Sequence, residues 1–336
     1  MAQRAFITGV SGFIAKHIAL QALEAGHRVT GSLRNLERAD EVRAAIAPFL
    51  SSFRAIERLD FAALDLTRDD GWRAALTGQD ALIHTASPFP VARPRNADEV
   101  IAPARDGTRR ALTAAADAGV RRVVLTSSCA AVWGQVRARR PATEKDWTDP
   151  ADRRIGPYEA SKTIAERLAW QIAGDRDLAL STINPGWVLG PPLDGNFGSS
   201  VALIRRLLSG KDPALPHMGL PVADVRDIAR MHLAALETDA SIGGRYLGAS
   251  GSLWLIDIAR LLQQTYPDRK LVRREAPNWV IRLLGLVDAD VRESAAMLGE
   301  RRVLDTSRAQ QELGMRFVPV ETAIKDCAAA LVAMGA

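Results

Sequence analysis

The sequence predicts an α/β chain in which a doubly wound parallel sheet is joined to a smaller, mostly helical C-terminal portion. Three observations predict it. Short β-type runs alternate with helical stretches through the first 190 residues or so. Two of those runs, Ala81-Leu82-Ile83 and Val123-Val124-Leu125, are continuously apolar, as strands covered on both faces must be. The first run leads directly into a glycine-bearing turn and then a helical pattern.

In chain order, Arg4 to Thr8 reads as the first strand, followed by Gly9-Val10-Ser11-Gly12-Phe13-Ile14-Ala15 and a helix to about Ala25. Gly9 permits a tight turn, Gly12 lets the backbone approach a pyrophosphate, and the helix presents unpaired N–H groups to that anion. Ala15 stands where a third glycine is common and still allows close helix-to-strand packing. His27 to Leu33, a helix near Ala39 to Phe49, Phe61 to Leu66, Ala81 to Thr85, a long helix from about Ala97 to Ala118 and Arg122 to Thr126 continue the alternation. A helix carrying Tyr158 and a strand from Leu180 to Ile183 complete it. Ligands of such sheets bind beyond the carboxyl ends of the strands. Gly9, Arg34, Asp65, Ala86, Ser128 and Pro185 all fall just past predicted strand ends, so six distant positions are expected along one edge.

After Gly190 the regularity changes, with Pro191-Pro192, a glycine loop at Gly195 to Gly198 and a Pro-rich stretch from Pro213 to Pro221. The expected division is a dinucleotide-binding domain over 1–190 with a return segment at about 222–240, and a substrate-binding portion over 191–221 and 241–336. From Val222 to Ala235 the period is helical. Further helices are expected at Leu255 to Tyr266, Trp279 to Leu286, Asp288 to Met297 and Val320 to Leu331.

Tyr158 and Lys162 are one helical turn apart, which places a phenol and an ammonium on one face. A neighbouring cation stabilises a phenolate and brings a phenol toward the range where it works as a general acid or base at neutral pH. Thr126-Ser127-Ser128, at the end of an apolar strand, supplies a hydroxyl to hold the reacting oxygen. At the end of the second strand, Gly31-Ser32-Leu33-Arg34-Asn35 has no acid to accept ribose hydroxyls and has an arginine instead. A guanidinium pairs with a 2′-phosphate, so NADPH is expected over NADH. Arg38, one turn on, is a second candidate for that phosphate or an ordinary surface arginine.

These blocks resemble the extended short-chain dehydrogenases/reductases of the NAD-dependent epimerase/dehydratase superfamily, in the branch of dihydroflavonol reductases, cinnamoyl-CoA reductases and microbial aldehyde or methylglyoxal reductases. The resemblance rests on Thr8 to Ala15, His84-Thr85-Ala86-Ser87-Pro88-Phe89, Leu125 to Ser128, Tyr158 to Glu166 and Ile183 to Pro191. It implies a Rossmann-type sheet, with Ser128 as the catalytic serine beside Tyr158 and Lys162. It also implies that Lys162 hydrogen-bonds the nicotinamide ribose and that Asp65-Leu66 contacts adenine. Thr85, Ala86, Ser87, Pro185, Gly186, Val188 and Ser200 complete the implied cofactor set with Gly9, Ser11, Gly12, Phe13, Ile14 and Arg34. Phe89, Trp133 and Trp187 follow active-site blocks and point to an apolar pocket around Ser128. Trp133 stands where nucleotide-sugar epimerases carry tyrosine and plant flavonoid reductases often carry a smaller polar residue, which argues against a sugar or flavonoid substrate.

The expected activity is NADPH-dependent reduction of aldehydes or ketones, apolar or aromatic and of small to medium size. A nucleotide-sugar epimerase or dehydratase, a hydroxysteroid-type dehydrogenase and a catalytically silent nucleotide sensor are the competing readings. The net charge of +5 comes mostly from arginines dispersed among acids, and only Arg137-Ala138-Arg139-Arg140 clusters, so no nucleic-acid partner is expected. Cys129 and Cys327 form no CxxC pair and no metal set, and Cys129 has no histidine near it in sequence to activate it. His84 is expected to be packed, and His217 is a lesser candidate for touching substrate. Without a leader-like segment or a long apolar run, the chain is expected in the cytoplasm, off the membrane, as a monomer or homodimer.

Overall fold

The computed structural model describes residues 2–87, 96–134, 136, 139–287 and 297–336. The expected helix at Asp288 to Met297, the pocket candidate Phe89 and Arg137 of the basic cluster lie wholly or mostly outside the described residues.

Alternation in the first half produces β1 (Arg4–Ile7), α1 (Phe13–Glu24), β2 (Arg28–Leu33), α2 (Ala39–Ile46), β3 (Leu59–Ala63), α3 (Trp72–Leu76), β4 (Ala81–His84), α4 (Asp98–Asp117), β5 (Arg122–Thr126), α5 (Pro157–Arg176) and β6 (Ala179–Pro185). With β9 (Arg245–Gly248) these strands form a seven-stranded sheet in the order β3-β2-β1-β4-β5-β6-β9, every pair parallel. Successive side chains on a strand point to opposite faces. Ala5 and Ile7 of β1 therefore join Ile18 of α1 and Ile228 in one apolar layer. Phe6 joins Leu82, Val123, Leu112 of α4 and Ala169 of α5 in the other. Because all strands run the same way, their carboxyl ends form one edge, and the six expected positions lie along it.

Several boundaries differ from expectation for local reasons. Helix α2 gives way at Ala47 to a single 3₁₀ turn, where Pro48 lacks the N–H that an α-helix would use. Strand β3 starts two residues and ends three residues earlier than the apolar run Phe61 to Leu66 suggests. The helical period read from Val222 begins too early: Val222 to Asp224 close strand β8 (Gly219–Asp224), and helix α7 (Val225–Glu237) starts only where the Asp224 carboxylate accepts the Arg226 N–H at 2.8 Å.

A second, three-stranded sheet was not anticipated. Strand β8 pairs in parallel with β7 (Trp187–Leu189) and antiparallel with β10 (Gly251–Trp254). It begins where the first sheet ends, across Gly186, whose N–H bonds Gly248 O at 2.8 Å. A Cβ at Gly186 would lie 2.4 Å from Pro221 O, so only glycine lets the two sheets meet this closely. Among the described residues the remaining α-helices are α6 (Ser199–Ser209), α8 (Leu255–Thr265), α9 (Asn278–Val287), Ser307–Glu312 and Val320–Ala333. Among the described residues no helix is long and apolar enough to cross a membrane.

Candidate active site

The site begins at the turn after β1. Gly9 adopts φ +65°, and a Cβ there would meet Ala86 at 3.0 Å, so the turn passes directly against the end of β4. Gly9 N–H donates to Ser32 Oγ at 2.9 Å, and Gly12 N–H returns to Gly9 O at 2.9 Å. Gly12 then caps α1 without any side-chain acceptor, leaving helix N–H groups for an anion. Thr8 ties the neighbouring strand end in place: its Oγ1 accepts the Thr85 and Ala86 N–H groups, each at 3.0 Å. Phe13 and Ile14 lie in the first turn of α1, with Phe13 edge-on to His17 at 5.6 Å.

Two further cofactor candidates are placed with different company. Arg34 is exposed just past β2, whereas Arg38 is engaged by Glu41 through Nε at 2.9 Å and Nη2 at 2.7 Å. Arg34 is thus the better-placed cation for a phosphate. Asp65 lies two residues past β3 and accepts both the Thr67 N–H and the Thr67 hydroxyl at 2.8 Å, which hold its carboxyl below the usual carboxylate range. This is a local Asx turn rather than a helix cap, since α3 begins at Trp72 behind Gly71. Leu66 packs toward Gly107 of α4.

The residues expected to handle the proton lie just past β5 and on α5. Ser128 starts a 3₁₀ turn; its Oγ accepts the Ala130 N–H at 3.1 Å and lies within hydrogen-bonding reach of the Cys129 thiol. Ser127, its neighbour, is spent: its hydroxyl donates at 2.5 Å to the fully buried Glu166. Geometry therefore separates the two serines that the sequence left side by side. Pro157 at the first position of α5 starts the helix that puts Tyr158 and Lys162 on one face, the ammonium 5.8 Å from the phenol ring centre. Lys162 shares a cavity with His84, Ala86, Ser87, Thr126 and Glu166. Desolvation pushes its pKa down to about 8, opposed by the negative charge of Glu166.

His84 is packed, as expected: it is buried with Nδ1 2.9 Å from Thr8 Oγ1, and burial pushes its pKa down to about 3. Burial likewise pushes the Cys129 thiol up to about 12, so it is no nucleophile. At the end of β6, Pro185, Gly186 and Val188 lead into the second sheet. Ser200 lies in the first turn of α6, and Asn196 just before it donates to Ser11 O at 2.8 Å. That bond brings the 194–200 loop onto the glycine turn, where Lys16 also reaches Asp194.

Charged groups gather around Trp133, one of the expected pocket residues. Trp133 is 5% exposed, and its buried indole Nε1 has no hydrogen-bond partner among the described residues. The Arg302 guanidinium stacks over its ring at 4.8 Å and pairs with Glu300 at 3.1 Å. Arg154, Glu159, Glu300 and Arg302 line one cavity with Trp133. Trp187 is half-buried at the start of β7. His217 stacks on Trp254 at 4.1 Å, with Nδ1 2.8 Å from Glu275. Arg302 escaped the sequence reading because nothing local marks it. Glu166 carried a signal, standing one turn beyond Lys162.

The turn after β1 suits a dinucleotide, and the groups at β5 and α5 suit proton transfer beside it; together they define a nucleotide-dependent enzyme. The chain belongs to the NAD dependent epimerase/dehydratase family, whose profile matches residues 5–247. It is 32% identical over 284 residues to tetraketide alpha-pyrone reductase 2 of Arabidopsis thaliana, covering 81% of this chain and 87% of that protein. It is 34% identical over 267 residues to cinnamoyl-CoA reductase 1 of Petunia hybrida, covering 78% and 77%. Among solved structures it resembles yeast methylglyoxal/isovaleraldehyde reductase Gre2 complexed with NADPH, with a TM-score of 0.82 at 25% identity and 98% of both chains covered.

Proposed function

We propose that this chain reduces aldehydes or ketones of small to medium size, aromatic or apolar, with Tyr158 as the general acid. The chain is an NADP-dependent oxidoreductase of the carbonyl–alcohol couple, and its cofactor is NADPH. The observation that carries the finer reading is the placement of Ser128 just past β5, at the start of the 3₁₀ turn packed against the helix of Tyr158 and Lys162. The glycine turn, the uncapped start of α1, exposed Arg34 and the cavity beside Lys162 fit a dinucleotide carrying a 2′-phosphate. When bound, NADPH supplies the hydride.

The protein groups do the rest. Ser128 Oγ donates to the carbonyl oxygen and holds it in place. Tyr158 gives its phenolic proton to that oxygen as negative charge develops there. Lys162, charged below about pH 8, stabilises the phenolate left behind. Trp133 and Trp187 supply aromatic walls, and the unpaired Trp133 N–H favours a carbonyl compound bearing one further hydrogen-bond acceptor. This chemistry needs no partner beyond the small-molecule substrate and suits the cytoplasm.

The test is consumption of NADPH or NADH with a panel of aryl and alkyl aldehydes and ketones. Turnover preferring NADPH, and aryl carbonyls with a second acceptor, supports the reading. Nucleotide binding without turnover of any carbonyl refutes it and favours a sugar-modifying or sensory role.

A further inference from the structure

Glu166 is fully buried and accepts hydrogen bonds from four elements at once. Its Oε2 takes Ser127 Oγ at 2.5 Å from the end of β5 and Asn184 Nδ2 at 2.7 Å from β6. Its Oε1 takes Arg245 Nε at 2.6 Å from β9, Thr182 Oγ1 at 3.2 Å from β6 and Trp170 Nε1 at 3.4 Å from its own helix. Asn184 Nδ2 also reaches Ser128 O at 3.2 Å, so the chain of bonds runs from the helix of Tyr158 to the backbone of Ser128. Arg245 in turn fixes the strand-to-helix loop, donating to Glu144 O at 2.6 Å and Asp146 O at 2.8 Å while its guanidinium lies 3.6 Å from the centre of the Trp147 ring. Burying this ion pair costs several kcal/mol of desolvation, a poor bargain for stability alone, since an apolar pair of the same volume often does as well.

We propose that Glu166, held by Arg245, is a positioning residue for the reaction: it fastens the helix of Tyr158 and Lys162 to the strand end of Ser128 and supplies the counter-charge that keeps Lys162 protonated. Among the described residues, the groups around Lys162 leave that task to Glu166. His84 of β4 is neutral at working pH, α4 presents only Thr108 to the cavity, and Tyr158 on the same helix carries no negative charge before the proton is given. Arg245 lies behind the carboxylate, so removing the carboxylate alone would leave two buried cations facing each other. The mechanical half of the proposal rests on the reductase reading; the electrostatic half concerns the chain alone.

The test separates the two. In the full-length protein without nucleotide, the rate at which trinitrobenzenesulfonate modifies Lys162 is followed against pH by mass spectrometry of its peptide. Glu166→Gln should move the midpoint down by about one pH unit, the size usual for loss of a nearby opposite charge. With NADPH and the best carbonyl of the panel, Glu166→Gln and Ser127→Ala should each lower kcat about tenfold or more and leave the affinity for NADPH, read by its fluorescence, within about twofold. Ser127→Ala keeps the ion pair intact and serves if Glu166→Gln does not fold. An unchanged midpoint in folded Glu166→Gln overturns the electrostatic role, whatever the activity. Unchanged kcat in folded Ser127→Ala, or losses in kcat and NADPH affinity that track melting temperature alone, overturn the positioning role.

Discussion

The glycine turn and the surroundings of Trp133, the proposed nucleotide-facing and substrate-facing walls, are held in place by different kinds of contact. Around the glycine turn the ties engage backbone: Gly12 to Gly9, Gly9 to Ser32, and the Thr8 hydroxyl to the N–H groups of Thr85 and Ala86. Around Trp133 and around His217 they are side-chain pairs between residues far apart in sequence, Arg302 with Trp133 and His217 with Glu275. A wall built from backbone bonds needs only glycines and a hydroxyl at fixed spacing. One built from side-chain pairs can be re-cut by single substitutions, which suits a surface that sets specificity on a constant scaffold.

If the comparison is right, changes at the junction of the two sheets should do the most general harm. Gly186→Ala puts a Cβ 2.4 Å from Pro221 O, and forced overpacking of this kind costs about 1–3 kcal/mol. A melting temperature lowered by several degrees is expected, and an unchanged one would show that the sheets can separate freely. The next effect is on rate. Lys162 keeps its charge below about pH 8 and loses it above, so kcat/KM for reduction should be level up to that point and then fall about tenfold per unit. A profile flat to pH 10 would remove Lys162 from the chemistry.

Smaller effects should sort by wall. Arg34→Ala should reduce the preference for NADPH over NADH by about tenfold while leaving the ranking of carbonyls untouched, since one exposed charge-assisted contact is lost. Trp133→Phe keeps an aromatic ring and removes only the indole N–H. It should raise KM about two- to tenfold for carbonyls with a second acceptor and leave simple aryl aldehydes alone, the range of one neutral hydrogen bond. A variant that changed both cofactor preference and carbonyl ranking would break the separation of the walls.

The same contrast decides what could be read from sequence. The glycine turn, the apolar strands and the one-turn spacing of Tyr158 and Lys162 are local patterns, and they emerge where expected. The main sheet was legible because βα alternation allows few topologies. The three-stranded sheet was not, because β8 joins a parallel and an antiparallel neighbour from distant segments and its residues from Val222 mimic a helical period. The family resemblance already favoured Ser128 over Ser127, but the physical reason, the Ser127 bond to Glu166, came only from the structure. The charged wall at Trp133 was invisible because Arg302 is 169 positions further on in the chain.

The central claim, that a phenol on α5 delivers the proton in a nucleotide-dependent reduction, is tested most directly by single-turnover oxidation of NADPH by wild type and Tyr158→Phe with the best carbonyl of the panel. The account predicts unchanged NADPH binding and a rate lower by about 10²–10⁴-fold in the variant. A variant that binds NADPH normally and turns over within a few-fold of wild type would contradict it.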